Sequence, residues 1–89
     1  MKARVFVTLK PSVFDPQGST IADALHSLGF DAVGDVRQGK YFELDLRVAT
    51  PVEAERLAGE VADRVLANPI IESFRIELPG ESSGKATVQ

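Results

Sequence analysis

Residues 40–66 read KYFELDLRVATPVEAERLAGEVADRVL, and within them the apolar spacing changes from two residues to that of a helix. From Lys40 to Val48 the residues alternate: Phe42, Leu44, Leu46 and Val48 on one side, Tyr41, Glu43, Asp45 and Arg47 on the other. That is a strand with one buried face. Thr50-Pro51-Val52-Glu53 comes next as a capping box with proline at the first helical position. Ala54, Leu57, Ala58, Val61, Ala62, Val65 and Leu66 then form a continuous apolar stripe, and Asn68-Pro69 stops the helix. Residues 70–78 alternate again, with Ile70, Phe74, Ile76 and Leu78 inward and Ile71, Ser73, Arg75 and Glu77 outward.

Upstream, residues 3–10 show the same period of two, with Ala3, Val5, Val7 and Leu9 opposed to Arg4, Phe6 and Thr8. Pro11 ends that ladder. Asp15 can cap a helix whose first residue is Pro16, with Ser19 as the alternative cap. Ile21, Ala24, Leu25 and Leu28 give the helix over 16–28 its stripe. Gly29 is placed to end it in the left-handed conformation, with Phe30 folding back on Leu25. Residues 33–38 predict a short strand, turned at Gln38-Gly39 into the strand that begins at Lys40.

The order is thus β-α-β-β-α-β, an α+β fold. Two interleaved right-handed crossovers predict a ferredoxin-like split sandwich: a four-stranded antiparallel sheet in the order 4-1-3-2 with two helices on one face. Residues 1–78 are expected to be one domain and residues 79–89, PGESSGKATVQ, a flexible tail. The other sheet face would carry Phe6, Tyr41 and Ile71 among charged residues. It is too apolar to ignore and too polar for a core, and so is expected to be an oligomer interface.

The chain has 89 residues, 44% of them hydrophobic and 26% charged, enough for a small core but not for disorder. Its 10 basic and 13 acidic residues give a net charge of -3, which argues against a dedicated nucleic-acid surface. With 0 cysteines, thiolate metal sites and disulfides are excluded. No run is long enough to span a bilayer, and a strand pattern begins within three residues. The expected location is therefore the cytoplasm, with no signal peptide.

Chemistry is sparse. His26 is the 1 histidine and lacks the companions a zinc site needs; it reads as an edge residue of its helix. The glycines form no phosphate-binding loop, and no serine lies in a nucleophile elbow. Glu43 and Asp45 share a strand face, as solvated carboxylates commonly do. These readings yield no self-contained active site, and so no catalytic or metal-ligating residue.

Several segments in this order nevertheless carry a family signature. They are Leu9-Lys10, Val13-Phe14-Asp15-Pro16-Gln17-Gly18, Ala24-Leu25-His26, Val36-Arg37-Gln38-Gly39-Lys40, Glu43-Leu44 and Leu66-Ala67-Asn68-Pro69-Ile70-Ile71-Glu72-Ser73-Phe74. Over residues 3–78 the chain resembles PurS, the small subunit of phosphoribosylformylglycinamidine (FGAM) synthase; Phe14 stands where the family usually has leucine. The resemblance implies a non-catalytic accessory subunit of an ATP-dependent, glutamine-hydrolysing ligase complex in purine biosynthesis. That complex makes formylglycinamidine ribonucleotide from formylglycinamide ribonucleotide, glutamine and ATP. It further implies a homodimer or higher oligomer that bridges a glutaminase and a synthetase subunit and helps ammonia pass. ATP and Mg would be used by the complex and no cofactor bound by this chain. The motif residues in loops and strand ends, Asp15, Pro16, Gln17, Gly18, Arg37, Gly39 and Lys40, are the expected partner-binding set. A free-standing ligand-binding or interaction module of the same fold is the alternative, since fold does not fix function.

Overall fold

A computed structural model of the chain describes residues 1–78 and the backbone of 87–88. Three long strands form the sheet: β1 (Lys2–Leu9), β2 (Gly39–Asp45) and β3 (Glu72–Glu77). β1 is central and antiparallel to both others, with Val5 opposite Phe42 on one side and Ile76 on the other. A two-residue strand, β4 (Thr87–Val88), pairs antiparallel with β3, giving the order β2-β1-β3-β4. The remainder of the expected flexible tail lies outside the described residues.

The alternation decides the faces as expected. Ala3, Val5 and Val7 are buried, as are Leu46, Ile76 and Leu78. Helix α2 (Pro51–Val61) lies across β1 and β3 on that face. Ala54, Ala58 and Ala62, four apart, are each 0% exposed. Their small side chains let the helix sit close to the strands. The Thr50 hydroxyl accepts from Glu53 N at 3.2 Å and donates to Glu53 Oε1 at 3.2 Å. Both ends of the box thus meet at the hydroxyl, and Pro51 occupies the first helical position.

Four expectations are corrected. The hairpin's first strand, residues 33–38, is not in the sheet: β2 pairs with β1 alone. Gly34 and Asp35 are poor strand formers; Gln38 N donates to Asp15 Oδ2 instead, and Val36 O lies against Gly18. The second helix ends in a π turn, Ala62–Leu66, closed by Ala67 N donating to Ala62 O at 2.8 Å. The wider turn rotates the stripe by about one residue, so Ala67 is buried and Val65 is 77% exposed. The last strand begins at Glu72 rather than residue 70. Asn68 holds the preceding turn, its side-chain oxygen accepting from Ile70 N and its carbonyl from Ile71 N and Glu72 N, and Ile70 is exposed.

The first helix, α1 (Pro16–Ser27), is the fourth difference. Among the described residues it contributes nothing to the core cluster, and it does not pack on the sheet as α2 does. Only Gly18 and Ala22 of α1 are buried. Its C-terminus closes as the sequence predicts: Gly29 has φ 94°, Phe30 N donates to Leu25 O and Gly29 N to His26 O. Phe30 is 56% exposed.

Candidate functional site

At one end of the sheet the chain leaves β1, enters α1 and returns into β2. Asp15 ties these pieces together. It caps α1, its Oδ1 accepting from Gly18 N at 2.9 Å. Its Oδ2 accepts from Gln38 N at 2.7 Å, which joins the helix start to the residue ahead of β2. Both oxygens of this 5% exposed carboxylate are thereby satisfied. The N–H groups of Gln38 and then Gly18 hold the Asp15 carboxyl below its ordinary 3.8, with Arg37 adding to the effect and burial opposing it.

The crossing is close enough to require glycine twice. A Cβ on Gly18 would lie 2.1 Å from Val36 O, and one on Gly39 would lie 2.6 Å from Val7 O. Gly39 is therefore not a turn residue. It is the first residue of β2, paired with Thr8, and it lets the two strands close on each other.

The sequence-derived partner set is thus gathered in space. Gln17 is bonded to the side chain of Gln38. Pro16 opens α1. Lys40 pairs with Glu72 at 3.4 Å. A shallow cavity of about 210 Å³ is lined by Asp15, Gln17, Gln38, Gly39, Lys40 and Glu72, with Val7 and Leu9 beneath. Arg37 turns away from it and donates to Lys10 O at 3.0 Å and Val13 O at 2.9 Å. Its guanidinium closes the loop between β1 and α1, a structural task invisible in the local sequence.

Two members of this cluster escape sequence reasoning. Gln38 reads only as half of a turn, although it lies inside the Val36–Lys40 run. Glu72 has a detectable signal: it shares strand parity with the inward-facing Phe74 and Ile76, where a carboxylate requires a partner. It finds Lys40 and, through Oε1, Asn68 N at 2.7 Å.

The outer sheet face has its own order. Phe6 and Tyr41 meet with ring centroids 5.0 Å apart. Arg75 lies over Phe6 at 4.1 Å and pairs with Glu77 at 3.0 Å. The Tyr41 hydroxyl donates to Glu43 at 2.8 Å, and that bond to a carboxylate raises the phenol above its ordinary 10.0. An open depression of about 360 Å³ runs over Phe6, Thr8, Tyr41, Ser73 and Arg75. Ile71, expected on this face, sits in the turn before β3, half exposed, its carbonyl accepting from Lys10 N.

His26 is also explained locally: its Nε2 lies 2.6 Å from Val33 O, clasping the loop after α1. Among the described residues no cluster of histidine and carboxylate could hold a metal ion. No helix among them is long and apolar enough to cross a membrane.

The described residues make a small α+β sandwich with three long antiparallel strands, whose gathered polar groups bind backbone and one another. Known proteins carry the assignment further. A family model described as PurS, phosphoribosylformylglycinamidine (FGAM) synthase, matches residues 2–80. The phosphoribosylformylglycinamidine synthase subunit PurS of Bacillus subtilis is 44% identical over 77 residues, 86% of this chain and 90% of that protein. The PurS subunit of Archaeoglobus fulgidus is 40% identical over 76 residues, 85% and 95% of the two chains. A B. subtilis PurS crystal structure superposes with a TM-score of 0.74 at 45% identity, covering 85% of this chain and 94% of that one. A chain in the structure of PurLQS from Thermotoga maritima does so with 0.78 at 25% identity, covering 85% and 93%. The chain belongs to the PurS family. It is a subunit of FGAM synthase and serves purine biosynthesis.

Proposed function

We propose that the chain is the non-catalytic bridge of its complex, joining glutaminase and synthetase subunits and assisting the transfer of ammonia between them. It would work in the cytoplasm as a homodimer or higher oligomer. It would have no activity alone and no cofactor of its own, with ATP and Mg bound on the synthetase side. The observation that carries this reading is the junction at Asp15. Two motif segments more than twenty residues apart, 15–18 and 37–40, are locked into one polar surface by Asp15's bonds to Gly18 and Gln38. A family signature gathered into a surface, with its titratable groups spent on backbone and on one another, suits docking better than chemistry. The PurLQS structure among the neighbours supports the subunit context.

Within the junction, Gln17 and Lys40 are the residues to substitute, because both are exposed, while Arg37 and Asp15 hold the fold. In the reconstituted complex, Gln17→Ala with Lys40→Ala should lower glutamine-dependent product formation and leave ammonia-dependent formation near normal. Equal rates for variant and native chain in the glutamine-dependent reaction, with unchanged complex assembly, would remove this surface from the docking contact.

A further inference from the structure

The two edges of the sheet are finished differently. β4 pairs along the β3 edge. β2 pairs with β1 alone, and residues 33–38, predicted beside it, lie outside the sheet. The end of the ladder shows which groups are left over. Met1 N donates to Leu46 O and Leu46 N to Met1 O, both at 2.7 Å, so this pair exchanges two bonds. In an antiparallel ladder such pairs alternate with pairs that exchange none. By the register, Leu44, Phe42 and Lys40 therefore bond to β1, while Tyr41, Glu43 and Asp45 turn their N–H and C=O groups to the open edge. Among the described residues these groups bond to nothing. From Tyr41 to Asp45 the edge runs about 14 Å. It has neither the proline nor the bulge that protects many exposed edges.

We propose that the open edge of β2 receives, as an added strand, an extended segment of another subunit of its complex in which basic residues alternate with small apolar ones. The inference rests on the reading of the chain as a bridge and gives that bridge a mode of attachment.

The chemistry of the partner follows from what β2 already accepts on its covered edge. There Lys2 and Arg4 stand opposite Asp45 and Glu43, and Ala3 and Val5 opposite Leu44 and Phe42. Among the described residues neither cation reaches its carboxylate in an ion pair, and Glu43 and Asp45 are both exposed. An incoming strand of the same pattern sets its cations beside those carboxylates. Its apolar residues fall beside Phe42 and Leu44, which are half-buried at the margin of the core. A second copy of β2 is the wrong complement. Paired antiparallel about Glu43 it sets that carboxylate against itself, and paired about Leu44 it sets Glu43 against Asp45. The edge is also continuous with the junction, since β2 begins at Gly39, inside the docking segment 37–40.

Amide exchange tests this on the full chain, alone and in the complex reconstituted with the glutaminase and synthetase subunits. In the isolated chain the amides of Tyr41, Glu43 and Asp45 should exchange much faster than those of Phe42 and Leu44, which bond to β1. In the complex the same three amides should slow at least about 100-fold. Glu43→Pro removes an outward N–H and no bond to β1, so circular dichroism should be retained while the dissociation constant of the complex rises at least about 10-fold. Asp45→Lys should weaken assembly as well, by repelling a basic segment. Protection of the three amides in the isolated chain would place a second copy or the chain's own end on the edge, and overturns the proposal. Free exchange in the assembled complex overturns it too, as does a folded Glu43→Pro or Asp45→Lys variant that assembles as well as the native chain. If Glu43→Pro does not fold, exchange in the native chain decides the matter. The bridge reading is told apart from the edge. A chain that enters the complex and supports the glutamine-dependent reaction with the three amides free overturns the edge alone, and one that does not enter the complex overturns both.

Discussion

At Asp15 a side chain that the helix-cap rules assign to one backbone N–H serves two, Gly18 N and Gln38 N. The first bond is legible in the sequence, because an Asp-Pro pair ahead of a helical stripe is a cap signal. The second is not, since it joins residues 23 apart in the chain. It carries a pH signature. The folded carboxyl titrates below 3.8, so the stability it contributes is present above the ordinary range and is lost as pH falls through the folded value. Asp15→Asn keeps one acceptor for Gly18 N but loses the second for Gln38 N. Denaturant titrations should therefore show the native chain losing stability on acidification from pH 5 to pH 3 more steeply than Asp15→Asn, with the variant already weaker at pH 7. Parallel losses in the two proteins would mean that Asp15 is not the group responsible.

Both helices begin as their sequences predict and end less predictably, and the difference is one of range. An N-cap is decided within four residues: Asp15 for α1, Thr50 for α2. Ser19, which could also have capped the first helix, lies within its first turn instead, where its N–H donates to Asp15 O at 3.0 Å. Thr50→Ala should cost about 1 kcal/mol in thermal or urea unfolding. Ser19→Ala should cost nothing, because alanine is the better interior residue. A comparable loss for both would contradict this assignment of caps. Helix ends, by contrast, depend on how the chain beyond them packs. The π turn at Ala62–Leu66 brings Ala67, rather than Val65, into the core before the Asn68 turn.

Over the whole molecule, three strands converge on an outer face where each contributes one member of a stack: Tyr41 from β2, Phe6 from β1 and Arg75 from β3. Tyr41 is the 1 tyrosine of the chain, so its phenolate absorbance reports on this face alone. The hydrogen bond to Glu43 favours the neutral phenol, and titration should place its midpoint above 10.0. Glu43→Gln removes the carboxylate and should bring the midpoint down toward the ordinary value. An unchanged midpoint would show that the Tyr41–Glu43 bond does not persist in solution. Phe6 and Tyr41 were legible as neighbours because strand parity puts both on one face. Ile71 shares that parity by counting, but lies in a turn that counting does not reveal.

The sequence by itself determined what is encoded over a few neighbouring residues. Period-two alternation set the buried faces of residues 3–7, 42–46 and 74–78, the two N-caps came from side chains three residues from their targets, and Gly29 ended α1. The ordered motifs also carried the family. Tertiary structure alone decided the contests between distant groups. Gln38 could have joined a hairpin, but its N–H donates to the Asp15 carboxylate, and Val36 lies against Gly18 rather than in the sheet. Arg37 is expected from its motif to be a partner-binding residue, and its guanidinium donates to the loop carbonyls of Lys10 and Val13. The stripe of α1 predicts burial, but α2 with its row of alanines occupies the inner face over β1 and β3, and α1 is left outside the core. A periodic pattern states that a face will be covered; only the packed chain states by what.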